Sequence, residues 1–302
     1  MRTPDFVFVG HPRSGSGLVD GWLDGHPDLW MAQKELHYFG SDLRYDHPPR
    51  TLEQYLRAFA DAPASATRVG EASTWTLCSE VAAAELAAFR PELSVIASLR
   101  EPVSWLASLH SHLVFSANED IERFEDAIAA VPDRVAGRRV PPLCAPPIAV
   151  TYTHLVRYAA QIERMYAALG RDRVHVVILD DVKRDPAGQF RAILRFLGVR
   201  EDFPGFDRVL AGTARSRNSN RAVRSRRVRD WIKQPAQQRV LRRLDAAPPG
   251  VELALRAIRR ANIKYVPRDP IDPALERRLR AELRPEVERL EDLLGRALTG
   301  WK

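Results

Sequence analysis

The sequence predicts an α/β fold: one domain over residues 1–302, a central parallel sheet flanked by helices, and a P-loop-like strand–loop–helix phosphate site near its start. Three observations carry that expectation. Short apolar runs alternate with amphipathic helical segments along most of the chain. One run, FVFVG, leads through a glycine-containing loop straight into a helix. Apolar residues make up 45% of a 302-residue chain, enough for a sizeable core.

The elements follow in order. Residues 5–10 read as a buried strand, and residues 16–25 as a helix with Leu18, Trp22 and Leu23 on one face. Gly25 and Pro27 stop that helix. Residues 68–71 read as the end of a short strand, after which Ser79 can cap a helix running to Phe89. Residues 93–99 form the next apolar strand, and Pro102 opens a helix over 103–115. Residues 174–179 are the last clear strand, and Gly198 ends a helix over 189–197. The proline-rich stretch 140–147 fits no regular element and reads as an ordered loop over the site or a mobile lid. Residues 231–302 read as a mainly helical C-terminal extension packing on the domain.

Composition narrows the function classes. Cys78 and Cys144 are the only cysteines and stand in no metal-ligand spacing, so neither a disulfide framework nor a zinc site is expected, and a reducing compartment fits. No apolar stretch approaches membrane-spanning length, and the N-terminal run is too short for a signal-peptide core. A soluble, cytoplasmic protein without a membrane partner is expected. The net charge of +7 is mostly arginine, clustered at 215–229 and 256–260. That excess fits a solvated surface, a nucleic-acid face, or attraction of a polyanionic small ligand.

The loop decides in favour of the small anion. Gly10, His11, Pro12, Arg13, Ser14, Gly15, Ser16 and Gly17 form a cradle in which glycines let backbone amides approach an anion. Arg13 adds a full charge, and Ser14 and Ser16 add hydroxyls. Gly10 and Gly15 have the spacing of a nucleotide-triphosphate P-loop, but Ser16 and Gly17 stand where that motif needs Lys and then Ser or Thr. A P-loop kinase or other phosphotransferase is the alternative this departure counts against, with a nucleic-acid-binding protein behind it. VHVVILDD imitates a magnesium-binding strand through Asp180 and Asp181, and reads instead as a strand end and helix start.

The loop resembles the 5′-phosphosulfate-binding loop of the sulfotransferase family, usually Lys or Arg followed by Ser-Gly-Thr-Thr, with Ser16 and Gly17 in place of the threonines. HPDLWMAQKELHYF resembles the following segment of the bacterial and carbohydrate-type branch, where a Lys-Glu pair precedes aromatics. The resemblance implies that Glu35 is the catalytic base, with Lys34 assisting. GEASTWTL resembles a strand end of the family, where Glu71 would orient the acceptor or Arg13. SVIASLREPVSWLASLHSH resembles the 3′-phosphate segment, with Arg100 at a strand end and Ser108 eight residues later. RNSNRAVRS resembles the family's arginine-bearing loop, and Arg224 is carried over to the 3′-phosphate, with Arg217 and Arg221 as competitors. The resemblance spans residues 4–230.

What the family implies is transfer of a sulfuryl group from 3′-phosphoadenosine 5′-phosphosulfate to a hydroxyl or amine of a small-molecule or carbohydrate-like acceptor, releasing adenosine 3′,5′-bisphosphate, with no metal and no nucleic acid. Arg13 cannot give up a proton and would act as an electrostatic clamp. Glu35 would need a pKa raised by burial, or proton transfer late in the attack. His37, His110 and His112 are rival bases, since another branch of the family uses histidine.

Overall fold

β1 (Phe6–Gly10) is buried along its whole length, as its unbroken apolar run requires of a strand covered on both faces. The computed structural model describes residues 2–214, 220–233, 257–258 and 260–302. The described chain divides into two compact units. One comprises Met1–Trp105, Leu155–Arg217 and Leu279–Lys302, the other Leu106–His154 and Asn218–Arg278.

The first unit holds a five-stranded sheet in the order β2-β3-β1-β4-β5. Its other strands are β2 (Leu29–Met31), β3 (Arg68–Thr74), β4 (Ser94–Leu99) and β5 (Val174–Ile178), and every pairing is parallel. The expected α/β class is therefore the observed one. Residues alternate between faces along each strand. Phe6, Phe8, Ile96 and Val177 join Trp22 of α1 (Ser16–Asp24) and Phe190 of an asparagine-free helix, Pro186–Leu197, in one core cluster. The Trp22 and Phe190 rings lie 5.3 Å apart. Val7, Val9, Val95 and Ala97 face the other way and are fully buried too.

Strand order reverses at β1: the chain fills one side with β2 and β3, then returns to β4 on the other. The register sets Gly10 opposite Thr74 and Ser98, so the ends of β1, β3 and β4 share one edge. Ligands of open parallel sheets bind at such an edge, outside the carboxyl ends of the strands.

Several boundaries differ from expectation. β3 runs on to Thr74, and β2 was not expected. The helix after Ser79 starts at Ala82, yet Ser79 Oγ still accepts from the amides of Val81 and Ala82. The helix expected from Gln189 starts at Pro186, where the Asp185 side chain accepts from the Gly188 amide. The long C-terminal helix, Pro273–Leu294, buries Leu279, Leu283, Val287 and Leu290 within the first unit. There Glu286 accepts from the Ala159 amide, 2.7 Å, and Arg280 pairs with Glu101, 3.3 Å.

The second unit contains an antiparallel ribbon, β6 (Asn220–Val223) with β7 (Ile263–Val266), also not expected from sequence. Its core holds a buried ion pair. Arg134 grips Glu119 through both guanidinium ends, 2.5 and 2.6 Å, and the Tyr152 hydroxyl donates to the same carboxylate at 2.6 Å. Those bonds satisfy charges that would otherwise be costly to bury. The proline-rich stretch is ordered by its own bonds, including Ala145 N–H to Asn118 Oδ1, 3.0 Å. Among the described residues no helix is long and apolar enough to cross a membrane.

Candidate active site

The loop between β1 and α1 is fixed from behind, carbonyl by carbonyl. Ser14 donates to His11 O through both its amide, 3.2 Å, and its hydroxyl, 2.5 Å. Trp105 Nε1 donates to Pro12 O at 2.8 Å, and Arg100 Nη1 to Arg13 O at 3.2 Å. Ser14 Oγ also meets Ser98 Oγ of β4, 2.7 Å away. With its carbonyls held inward, the loop leaves the start of α1 available to an anion. No side chain caps α1, and no acidic residue stands in its first turn.

Two glycines are required here. A Cβ on Gly10 would lie 2.5 Å from Ser98 Oγ, so a side chain would push β1 off β4. Gly15 caps the helix at φ 96°, in the left-handed region, and a Cβ there would lie 2.7 Å from Leu179 Cδ1. Arg13 is exposed at the loop tip, while Ser16 and Gly17 open the helix at partial and full exposure.

His11 does a different job from the one its place in the cradle suggested. Its side chain is fully buried, bonded through Nε2 to Gln161 Oε1 at 2.7 Å and packed edge-on against Trp105 and Tyr158. What it can offer an anion is backbone, and its ring braces the loop. Burial lowers its pKa to about 4, against a weaker opposing effect of the Gln161 bond. As pH falls, the unfolded chain takes up this proton first. The stabilisation is thus complete above the ordinary histidine value of 6.5 and lost on descent to about 4. The expected loss is about 3 kcal/mol. Thermal unfolding across that range should show wild type losing more stability with acid than His11→Phe.

Glu35 lies beside this loop. Thr74, at the end of β3 and opposite Gly10, donates its hydroxyl to Glu35 Oε1 at 2.7 Å. His37 Nε2 stands 3.0 Å from Glu35 Oε2. Glu35 and its rival His37 are therefore one hydrogen-bonded pair. Lys34 pairs with Asp20 of α1 at 2.9 Å, tying the segment to the helix that starts at the phosphate loop. Burial pushes the Glu35 carboxyl up, but the bonds from His37 and Thr74 outweigh it, and the pKa lies below its ordinary value. Of the two expectations the raised pKa is corrected and late proton transfer is left: Glu35 is a held carboxylate.

The turn after Glu35 is fastened too. Glu85 accepts from the Gly40 amide, 2.6 Å, and Asp42 accepts from Ser79 Oγ, 2.5 Å. His37 lines a cavity of about 790 Å³ with Tyr38, Arg44, Tyr45, His47 and Arg50. The rings of His37, Tyr45 and His47 stack, with centroid separations of 4.2 and 5.4 Å. The Tyr45 hydroxyl is buried without a partner among the described residues.

Arg100 follows β4 on the same edge. Its guanidinium bonds to Arg13 O and, at 3.1 Å, to Ser104 Oγ, and to no carboxylate among the described residues. Burial disfavours its charge, a cost that a bound anion would offset. Such an arrangement of amides, arginines and a carboxylate suits transfer of an anionic group.

The sequence model of the sulfotransferase family matches residues 4–203, more than half of the chain. The chain belongs to the sulfotransferase family. A sulfotransferase from Alicyclobacillus acidocaldarius has a similar fold, with a TM-score of 0.71 at 23% identity over 100% of this chain and 99% of that one. A mouse sulfotransferase complexed with PAP aligns at a TM-score of 0.45 and 14% identity, over 72% of this chain and 65% of that one. No curated protein matches this sulfotransferase.

Other expected site residues lie in the second unit. Ser108 is buried on the helix Pro102–Phe115, which begins in the first unit. His110 is buried and bonded to Ile121 O at 2.9 Å, while His112 is partly exposed on the same helix. Arg224 is exposed after β6, where its amide donates to Asn262 O at 2.8 Å. Arg221 lines a cavity of about 690 Å³ with Arg226, Arg229, Lys264 and Arg268. Arg217 lies outside the described residues.

Asp180 and Asp181, the imitation magnesium ligands, are engaged by protein. Lys183 and Trp301 bond to Asp180 at 2.7 and 3.1 Å, and Arg184 and Arg296 to Asp181 at 3.1 and 2.6 Å. Among the described residues no group of three or more His, Cys, Asp or Glu side chains could hold a metal ion. Sequence reasoning missed Ser98, Thr74 and Gln161, which hold Ser14, Glu35 and His11. Ser98 had a signal, as a hydroxyl set within the apolar run VIASL.

Proposed function

We propose that this sulfotransferase moves a sulfuryl group from 3′-phosphoadenosine 5′-phosphosulfate to a hydroxyl of a small-molecule or carbohydrate-like acceptor, with Glu35 as base. The reading rests on one observation above all: Thr74 joins Glu35 to the strand end opposite Gly10, beside the phosphate loop. In this scheme the acceptor oxygen attacks sulfur opposite the bridging oxygen. The new S–O bond forms as the old one breaks, and adenosine 3′,5′-bisphosphate leaves with the bond's electrons. Arg13 and the amides of Gly15, Ser16 and Gly17 take up the charge developing on the 5′-phosphate. Arg100 holds the 3′-phosphate.

Glu35 receives the acceptor's proton late, once attack has acidified the hydroxyl, as its low pKa demands. The acceptor enters the cavity lined by His37, Tyr45 and His47, whose stacked rings suit a flat ring or a sugar face. No divalent metal is needed. The test is transfer of labelled sulfate from the donor to a panel of sugars, nucleosides and phenols, with and without chelator. Sulfated product insensitive to chelator supports the reading. Loss of all turnover that metal restores would revive the kinase-like alternative.

A further inference from the structure

Ser73 of β3 has all its hydrogen-bonding capacity in use. The amides of Leu36 and His37 both donate to its Oγ, at 3.2 and 3.0 Å. A hydroxyl has two lone pairs and one proton, so both lone pairs are taken and the proton has a single destination. It goes to Glu71 Oε2, 2.6 Å away. Glu71 is fully buried, and its Oε1 has no partner among the described residues. A fully buried carboxyl cannot touch the acceptor, so of the two roles expected from sequence the orienting of the acceptor is not available.

We propose that Glu71 is a positioning residue: it locks the Ser73 hydroxyl, which holds the Leu36–His37 backbone and so aims Glu35 and His37. This rests on the reading of Glu35 as base. The residues pinned by Ser73 directly follow Glu35, and the next residue of β3, Thr74, bonds Glu35 itself. One strand end thus fixes the base from both its side chain and its backbone. Packing alone would be served by an apolar residue, since an incompletely bonded buried carboxyl costs stability. Burial raises its pKa to about 8, so the group accepting Ser73's proton at pH 7 is a neutral acid, which a neutral amide of the same shape can replace.

The probe reaction is hydrolysis of 3′-phosphoadenosine 5′-phosphosulfate, with water as acceptor. Water oxygen bonds to sulfur, adenosine 3′,5′-bisphosphate leaves, and the water proton passes to Glu35. Glu71→Ala and Ser73→Ala should each lower kcat by about 10-fold or more, with KM for the donor little changed. Glu71→Gln should restore most of that loss. Hydrogen exchange at the Leu36 and His37 amides should quicken in the alanine variants and not in Glu71→Gln. In a Glu35→Gln background, Glu71→Ala should add little, because the group it positions is gone.

Wild-type kcat in Glu71→Ala, or equal losses in Glu71→Ala and Glu71→Gln, would overturn the proposal. So would a Glu71→Ala effect undiminished beside Glu35→Gln. If Glu71→Ala fails to fold, Ser73→Ala, which removes one oxygen, decides the matter. Wild-type hydrolysis by Glu35→Gln alone would instead sink the base reading. The exchange rates at Leu36 and His37 would then still decide whether Glu71 holds that turn.

Discussion

Glu35→Gln should bind donor nearly as wild type does and lose about 100-fold or more in turnover, the usual worth of a positioned base. Gln keeps the shape and can still accept from the Thr74 hydroxyl, which holds Glu35 Oε1 at 2.7 Å. What it cannot do is take a proton. His37→Ala removes the partner 3.0 Å from Glu35 Oε2 and should lower turnover less, because the carboxylate remains. His110→Ala acts on a buried ring bonded to Ile121 O and should lower stability first. Steady-state kinetics with calorimetric donor binding separates these effects. Near-normal turnover in Glu35→Gln, with its abolition in His37→Ala, would move the base to the histidine.

Arg13→Ala should cost about 100-fold in kcat/KM for the sulfate donor, roughly 2.7 kcal/mol of transition-state stabilisation. The guanidinium is exposed at the tip of a loop whose carbonyls are bonded to Trp105, Arg100 and Ser14. Removing it should therefore leave the loop standing. Arg13→Lys should recover only part of the loss, since an ammonium keeps the charge but not the planar pair of donors. An Arg13→Ala enzyme with unchanged kcat/KM would take the arginine out of the mechanism.

What the sequence reveals follows from how local each signal is. β1, the phosphate loop and α1 are legible because an unbroken apolar run, glycines and a helix pattern lie side by side in FVFVGHPRSGSGL. β4 and Arg100 are legible for the same reason. β2 is hidden because Leu29–Met31 is too short to show any period. β6 and β7 are hidden because exposed residues, among them Arg221, Lys264 and Tyr265, break the apolar alternation of a half-buried strand. Lys34 and Glu35 could be named, but not their partners Asp20, Thr74 and His37, since those contacts exist only once the chain has turned. Charge states are the least legible of all. Glu35 and Glu71 are both carboxylates in the sequence, and the fold holds one below its ordinary pKa and raises the other to about 8.

The central claim is that the edge formed by the ends of β1 and β4 holds a nucleotide phosphorylated at both its 5′ and 3′ positions. Titration calorimetry of adenosine 3′,5′-bisphosphate against adenosine 5′-monophosphate tests it most directly, because the ligands differ only in the 3′-phosphate. The account predicts clearly tighter binding of the bisphosphate, by about 10-fold or more for a charge-assisted pair. Arg100→Ala should erase most of that preference, while the monophosphate, whose loop keeps its Trp105 and Ser14 bonds, should lose less. Equal affinity of the wild-type protein for the two nucleotides would contradict the account.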